Sequence, residues 1–215
     1  MTRALEAIVV GLALAASAAC AGGAQTQGRS PGYLVIDALL GASGATPTKF
    51  ANTLDSDVVT NVKQTVNGQQ VSVPTVYEDP GEVQIHLNLK DLGTSANPTA
   101  PTAANQITIT RYHVEYMRSD NPNPTQGVDV PYAFDGAVTA TITGSSPVTI
   151  GFILVRVQAK QEAPLVSLIG DGGQGAISTI AKVTFYGQDQ AGNQVSVSGT
   201  ISVNFADWAD PTSSS

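Results

Sequence analysis

The chain has 215 residues, of which 42% are hydrophobic and 13% are charged, a composition that supports a packed core and excludes a disordered chain. Ten Lys and Arg residues against seventeen Asp and Glu residues give a net charge of −7, so the clustered positive charge of a nucleic-acid-binding surface is not expected. One Cys and two His residues exclude a disulfide framework and a cysteine-based zinc site.

The N-terminus predicts an export signal. Residues 7–19 form an uncharged apolar run, and Arg3 places positive charge before it. The run is shorter than the about 20 residues that a membrane-spanning helix needs. We therefore predict that residues 1–19 are a signal peptide that is cleaved from the mature protein.

Cys20 is the only cysteine and follows three small residues, Ser17, Ala18 and Ala19. This arrangement resembles the lipobox of bacterial lipoproteins, in which the cysteine is acylated and becomes the first mature residue. The resemblance implies a lipid anchor on Cys20 in the bacterial cell envelope. With Ala21 next in the sequence, it implies the outer membrane in a host with two membranes. Residues 16–18 also suit ordinary signal cleavage, which would give a secreted protein instead.

The sequence of the mature chain predicts a flexible tether followed by a single folded domain. Residues 20–31 are rich in small and polar residues and predict a flexible tether. Residues 32–210 contain no linker long enough to separate two cores, so they predict one β-sandwich domain. Residues 211–215 predict a disordered tail.

Hydrophobic residues in the mature chain recur with a spacing of two, which is typical of strands with one buried face. Val83, Ile85, Leu87 and Leu89, for example, alternate with polar residues. The predicted strands are residues 33–40, 57–65, 71–77, 83–90, 106–117, 137–143, 148–159, 165–169, 181–186 and 195–205. Turn-forming residues separate them, so the pattern predicts an all-β sandwich or barrel.

Two local patterns refine this scheme. The Gly- and Asn-containing segment 187–193 predicts a hairpin that joins the last two strands. Phe50, Leu54, Val58 and Val62 recur every four residues, which predicts a short helical turn in that region.

Tyr112, Val114 and Tyr116 have a Tyr-x-Val-x-Tyr spacing on one predicted strand, and residues 189–193 read Asp-Gln-Ala-Gly-Asn before the last strand. Both features resemble bacterial immunoglobulin-like and fibronectin type III-like domains. The resemblance implies an antiparallel immunoglobulin-like β-sandwich of about ten strands. The chain is longer than such a module, so the excess is expected in extra strands and in the loops 94–105 and 119–132.

Catalytic signatures are missing from the sequence. It contains no nucleophile elbow, no His-Glu-x-x-His pair and no Gly-Lys-Ser/Thr phosphate loop. The Gly-rich segment 170–175 lacks a lysine and a following helix, so it predicts a loop rather than a phosphate cradle. His86 and His113 are expected between strands or at the surface, without a partner that the spacing reveals. We predict that the protein is not an enzyme, and that a His within reach of an acid in a pocket would instead indicate a hydrolase.

The most distinctive loop region is residues 119–136. Its candidate partner-binding residues are Asp120, Asn123, Asp129, Tyr132 and Phe134. Oxygen-bearing side chains of this kind are possible Ca²⁺ ligands, whereas exposed aromatic rings suit carbohydrates. Turn formation by the polar residues and capping of the sandwich by the aromatic residues are the simpler interpretations. No cofactor is predicted, and Ca²⁺ is the alternative.

The sequence therefore favours a lipid-anchored or secreted cell-envelope protein with a non-catalytic structural or partner-binding role. The expected partners are the membrane, through the N-terminal lipid anchor, and an envelope protein or polysaccharide. The alternative is a carbohydrate- or calcium-binding module, with Trp208 as a third candidate aromatic for sugar binding, and a hydrolase is the third possibility.

Overall fold

The computed structural model describes residues 28–118, 120–121 and 123–208. The predicted signal peptide, Cys20, residues 20–27 of the tether and the tail 211–215 lie outside the described residues. The described chain is mostly β-structure, as the alternating pattern predicted. None of its helices has the length and apolar character needed to cross a bilayer.

Strands follow one another along most of the described chain, and short helices interrupt them in three places. The strands are β1 Gly32–Gly41, β2 Thr53–Asp57, β3 Thr60–Val66, β4 Gln69–Thr75, β5 Asp79–Leu89, β6 Gly93–Thr94, β7 Asn97–Pro98, β8 Ile107–Met117, β9 Phe134–Ile142, β10 Val148–Val155, β11 Ile177–Asp189 and β12 Gln194–Ala206. The one α-helix of the described residues, α1, is Val157–Gln161, and the 3₁₀ helices are Ala103–Asn105 and Leu165–Leu168.

Two sheets form the body of the fold. One has three strands in the order β1-β5-β10, and the other has five in the order β2-β12-β11-β8-β9. The hairpins β3–β4 and β6–β7 form separate two-stranded sheets. The β11–β12 hairpin was predicted and is confirmed.

The expectation of a purely antiparallel fold is wrong at one edge, because β2 pairs with β12 in parallel. β1 lies in the three-stranded sheet, and the chain then crosses to the edge of the five-stranded sheet. β2 runs in the same direction as β12, whereas every other named strand pair is antiparallel. The helical turn predicted around Phe50–Val62 is also wrong, since β2 and β3 occupy that region.

Two further predictions fail near α1. The strand predicted over residues 148–159 ends at Val155 and is followed by α1, and residues 165–169 form a 3₁₀ helix and not a strand. Leu165 and Leu168 are buried there. A short apolar run has no period that separates a buried strand from a buried helical turn, so tertiary packing decides between them.

The core lies between the two sheets and contains the alternating apolar residues of both. In β5 every second residue is buried from Asp79 to Leu89. Phe152 of β10 meets Phe185 of β11 edge-on at 5.3 Å between ring centroids. Aromatic pairs prefer this geometry, and such rings carry much of the apolar area that a core buries. The sheets therefore pack face to face as a sandwich.

Candidate functional site

The strand pairing gives the sandwich two distinct ends. At one end, Gly32 of β1 lies opposite Leu89 of β5, and the β11–β12 turn begins at Asp189. Lys90 Nζ donates a hydrogen bond to the carbonyl oxygen of Gly28 at 2.8 Å. A groove of about 430 Å³ between the first described residues and the start of β12 also lies here. Because the chain enters the fold at this point, we call it the tether end.

The opposite end is defined by Asp57 and Ala206, which pair in the five-stranded sheet, and by Asp79 and Val155, which pair in the three-stranded sheet. Ser56 Oγ donates a hydrogen bond to Asp79 Oδ2 and so joins the two sheets here. Three segments start from this end, which we call the loop end. They are the β3–β4 hairpin, the loop of residues 118–133 and the segment 156–176 that contains α1.

The β11–β12 turn at the tether end is held by Asp189. Burial by itself raises the pKa of this carboxyl, but hydrogen bonds from Asn193, Ser30 and Ala191 outweigh it and lower the pKa overall. The backbone N–H groups of Ala191 and Asn193 both donate to Asp189 Oδ1 at 2.9 Å. Ser30 belongs to the first described segment, so this carboxylate ties the start of the described chain to the sandwich.

The loop of residues 118–133 contains four of the five residues predicted to bind a partner. Asp129 Oδ2 accepts a hydrogen bond from the backbone N–H of Thr125 at 2.8 Å. The N–H of Gly127 donates to the carbonyl of Val130 at 2.7 Å, and the Val130 side chain is fully buried. Asn123 donates its backbone N–H to Asn121 Oδ1. Asp129 and Asn123 therefore hold the local shape of the loop.

Asp120 is paired with an arginine. Arg118 Nε and Nη2 donate to the two carboxylate oxygens of Asp120 at 2.7 and 2.5 Å. These hydrogen bonds lower the pKa of Asp120 and raise the pKa of Arg118.

In the described ranges no three His, Cys, Asp or Glu side chains come together as a metal site.

The aromatic residues of this region lie in different environments. Tyr132 is half exposed, whereas Phe134 is buried, with its ring 6.2 Å from that of Tyr112 and the Arg156 guanidinium 4.3 Å above its face. Trp208 is partly buried and donates its backbone N–H to Asp57 Oδ1. Of the three, Tyr132 has the most exposed side chain, and Phe134 begins β9 with its ring buried.

The glycine beside Tyr132 explains how this ring is held. Gly127 has a φ of 77°, and a Cβ atom there would lie 2.3 Å from the Tyr132 hydroxyl oxygen. Any side chain would therefore be strained and would clash with the ring. The Tyr132 ring therefore lies against the loop backbone with half of its surface in solvent.

The β3–β4 hairpin is mostly exposed to solvent. Its two strands pair with each other and, among the described strands, with no other. Asn67 and Gly68 both have positive φ, which suits the tight turn between twisted strands. Val66 and Val71 are 49% and 43% exposed. Strands were predicted here from alternation, but nothing in the pattern indicated that both faces would be in solvent.

Both histidines lie beside acids on outward sheet faces. His86 Nδ1 is 2.7 Å from Asp37 Oδ2, and its Nε2 is 3.1 Å from Asn88 Nδ2. His113 Nδ1 is 3.2 Å from Asp135 Oδ1. Both ring nitrogens of His86 therefore lie within hydrogen-bond distance of a neighbouring side chain. Within the described residues, neither histidine has a Ser, Thr or Cys hydrogen-bond partner. A nucleophilic mechanism gains no support from these pairs.

Sequence reasoning missed a buried ionic cluster under the loop end. Lys160 of α1 and Asp79 of β5 are 1% and 0% exposed. Lys160 Nζ donates to Asp79 Oδ1 and to the carbonyl of Asp57, each at 2.8 Å. Burial raises the pKa of the Asp79 carboxyl, although Lys160 and the hydrogen bonds from Ser56 and Gly44 oppose this effect.

Comparisons with protein-family models, curated proteins and solved structures find no match to this chain. A functional assignment therefore has to come from the residues of the chain itself.

Proposed function

We propose that the protein is a cell-envelope lipoprotein whose immunoglobulin-like sandwich is a non-catalytic, partner-binding module. In this proposal residues 1–19 are removed, Cys20 is acylated, and residues 20–31 link the lipid to the fold. The partner is an envelope protein or polysaccharide that contacts the loop end.

The observation that carries this proposal is the distribution of exposed apolar side chains. Among the described residues nine large hydrophobic side chains are exposed, and seven of them lie on segments that start or finish at the loop end. These seven are Val66, Val71, Tyr77, Val128, Tyr132, Val166 and Ile169. Tyr33 and Leu92 lie near the tether end. An end of the fold that carries most of the exposed apolar side chains is a candidate surface for a partner.

The distance between the two ends suits a membrane-tethered module. β11 and β12 each contain 13 residues and run from one end to the other. At about 3.3 Å per residue, the sandwich separates the loop end from the tether by about 40 Å. A lipid on Cys20 would therefore hold the tether end near the bilayer and leave the loop end free for a partner.

Tyr132 favours a polysaccharide as one class of partner. Its ring is half exposed and is held against Gly127, so little side-chain freedom is lost when a sugar stacks on it. Calcium binding has less support, because Asp120 is already paired with Arg118 and Asp129 is engaged by the loop backbone.

Replacing the proposed lipid acceptor tests the anchor. We expect the full-length protein to be recovered with membranes and to partition into detergent, and Cys20→Ser to be recovered as a soluble protein. Two or more acyl chains anchor a domain stably, whereas the variant would carry none. Fractionation followed by immunoblotting measures this difference.

Ser17→Leu is the matched control, since it changes the same segment and introduces the Leu that is usual in a lipobox. This variant is expected to remain in the membrane fraction. If Cys20→Ser also remained there, the lipid anchor would be wrong and residues 7–19 would have to be retained.

A further inference from the structure

Lys160 and Asp79 approach each other in a place that water does not reach. They are separated by 81 residues in sequence and lie on α1 and at the first residue of β5. Both side chains are almost completely buried, and 2.8 Å separates Lys160 Nζ from Asp79 Oδ1. An amine and a carboxyl group fixed at this distance have the proximity that an intramolecular reaction requires.

The buried surroundings of the pair favour the neutral form of the Asp79 carboxyl. Transferring a charged amine and a charged carboxylate out of water is unfavourable, and ion pairing offsets this cost only partly. Burial raises the pKa of the Asp79 carboxyl. If a proton passes from the Lys160 ammonium to the carboxylate, the products are a neutral amine and a carboxylic acid, which are the species that condense to an amide.

We propose that Lys160 Nζ and Asp79 Cγ are joined by an intramolecular amide bond that the folded chain forms by itself. The amine nitrogen adds to Cγ and forms the N–C bond. The nitrogen then loses one proton and the bond from Cγ to Oδ2 breaks. Oδ2 leaves as water, carrying the proton of the carboxylic acid and a second proton that balances the one lost by the nitrogen. The amine and the carboxylic acid give the amide and water with no change of oxidation state. The step therefore needs no oxidant, reductant or co-substrate.

Neighbouring groups are placed to assist each stage. The Asp57 carbonyl accepts a hydrogen bond from Lys160 Nζ and orients the amine. The backbone N–H of Gly44 donates to Asp79 Oδ1 at 2.8 Å, where it would stabilise negative charge in the tetrahedral intermediate. Ser56 Oγ donates to Oδ2 at 2.5 Å, so its hydroxyl would pass a proton to this oxygen as it leaves and take up in exchange the proton that the nitrogen loses.

The product would keep its polar atoms satisfied. The new amide N–H would donate to the Asp57 carbonyl, and its oxygen would accept from Gly44. An uncharged, fully hydrogen-bonded amide avoids the desolvation cost of two buried ions. The link would fix α1 and the end of β10 to the start of β5 and so brace the base of the loop end, in a chain whose only cysteine cannot form an intramolecular disulfide.

Peptide mapping of the purified full-length protein tests the proposal. Trypsin is expected to release residues 64–90, which contain Asp79, joined to residues 157–182, because an acylated Lys160 is not a cleavage site. The mass of this species should equal the sum of the two peptides less one water. Fragmentation should place the link at residues 79 and 160.

Loss of water alone would not decide the matter, because Asp135 and Asp171 each precede a glycine and can form succinimides. Asp79 precedes Pro80, which has no backbone N–H to form one. Lys160→Arg retains a positive charge but cannot make the amide, so it should release separate peptides. If the wild-type chain gave residues 64–90 and 157–160 as unlinked peptides, the proposal would be overturned and the pair would be a simple buried salt bridge.

Discussion

Lys160→Met is expected to lower the free energy of unfolding by about 3–5 kcal/mol, because it leaves the Asp79 carboxyl buried without its partner. The loss should appear in urea titrations as a lower midpoint with an unchanged slope. It applies whether the wild-type residues form an ion pair or an amide, since the variant has neither. Asp79 is fully buried, so little relaxation toward solvent is available to reduce the cost.

The deficit of this variant should depend on pH. Burial raises the pKa of Asp79 in the folded state, so the folded variant favours the protonated acid. A carboxyl whose folded pKa is raised loses stability as the pH rises above its unfolded value of about 3.9 and through the folded value. The variant should therefore be less impaired near pH 4 than near pH 7.

A matched double variant provides the control. Asp79→Leu combined with Lys160→Met removes both polar groups, and it should recover much of the lost stability because an apolar pair of similar volume fits a buried site. Equal instability of the single and double variants at pH 7 would show that packing around α1, and not an unpaired carboxyl, causes the loss.

Phe185→Ala is expected to cost about 3–5 kcal/mol of folding free energy, the range for removing a fully buried phenylalanine ring. Phe185 is 0% exposed. Its ring is 5.3 Å from that of Phe152 and 6.2 Å from that of Tyr112, so it joins residues of both sheets. The lost apolar transfer energy and the cavity left between the sheets both contribute.

Phe185→Leu keeps most of the side-chain volume and should cost less, about 1–2 kcal/mol. Thermal and chemical denaturation of the two variants give the comparison. If alanine cost no more than leucine at this position, Phe185 would not be central to the interface between the sheets.

The sequence predicted the structure best for strands that have one face buried and the other exposed to solvent. β5 and β12 alternate along their lengths, so their existence and their buried faces were predicted correctly. The turn between β11 and β12 was also predictable, because Gly192 adopts a positive φ that its residue type suits. In these places the residue types of a short segment determine the structure, because a strand shows its buried face by alternation and a tight turn by its glycine.

The structural features that the sequence did not predict depend on contacts between residues that are far apart in the chain. Alternation does not reveal which strands meet, so the parallel pairing of β2 with β12 was not predicted. Lys160 follows a predicted strand and carries no sign of a partner 81 residues away, although it is the largest fully buried side chain of the described residues. Only the assembled fold brings these groups together.

In the loop of residues 118–133, too, some features were predictable from the sequence and others were not. The loop predicted over residues 119–136 exists, but it ends earlier than predicted because β9 begins at Phe134, and its individual contacts were not predictable. Phe134 begins β9 with its ring turned into the core, and Asp120 meets Arg118 two residues earlier in the chain. Tyr132 differs from Phe134 because it precedes the strand and remains at the surface.

The orientation of the sandwich on a membrane tests the central claim most directly. Ala176→Cys and Ala191→Cys place labels at exposed positions beside the two ends of β11, about 40 Å apart. An acylated Cys20 would not react with the dye, so each full-length variant would carry one label. The readout is energy transfer from the label to acceptor-labelled lipid headgroups in vesicles that carry the protein.

The proposed tether of residues 20–31 spans about 20 Å as a flexible chain, less than the length of the sandwich. The label at position 191, at the tether end, should therefore transfer energy to the lipid acceptors more strongly than the label at position 176, at the loop end. Equal transfer from the two positions, or stronger transfer from position 176, would contradict a lipoprotein that presents its loop end away from the membrane.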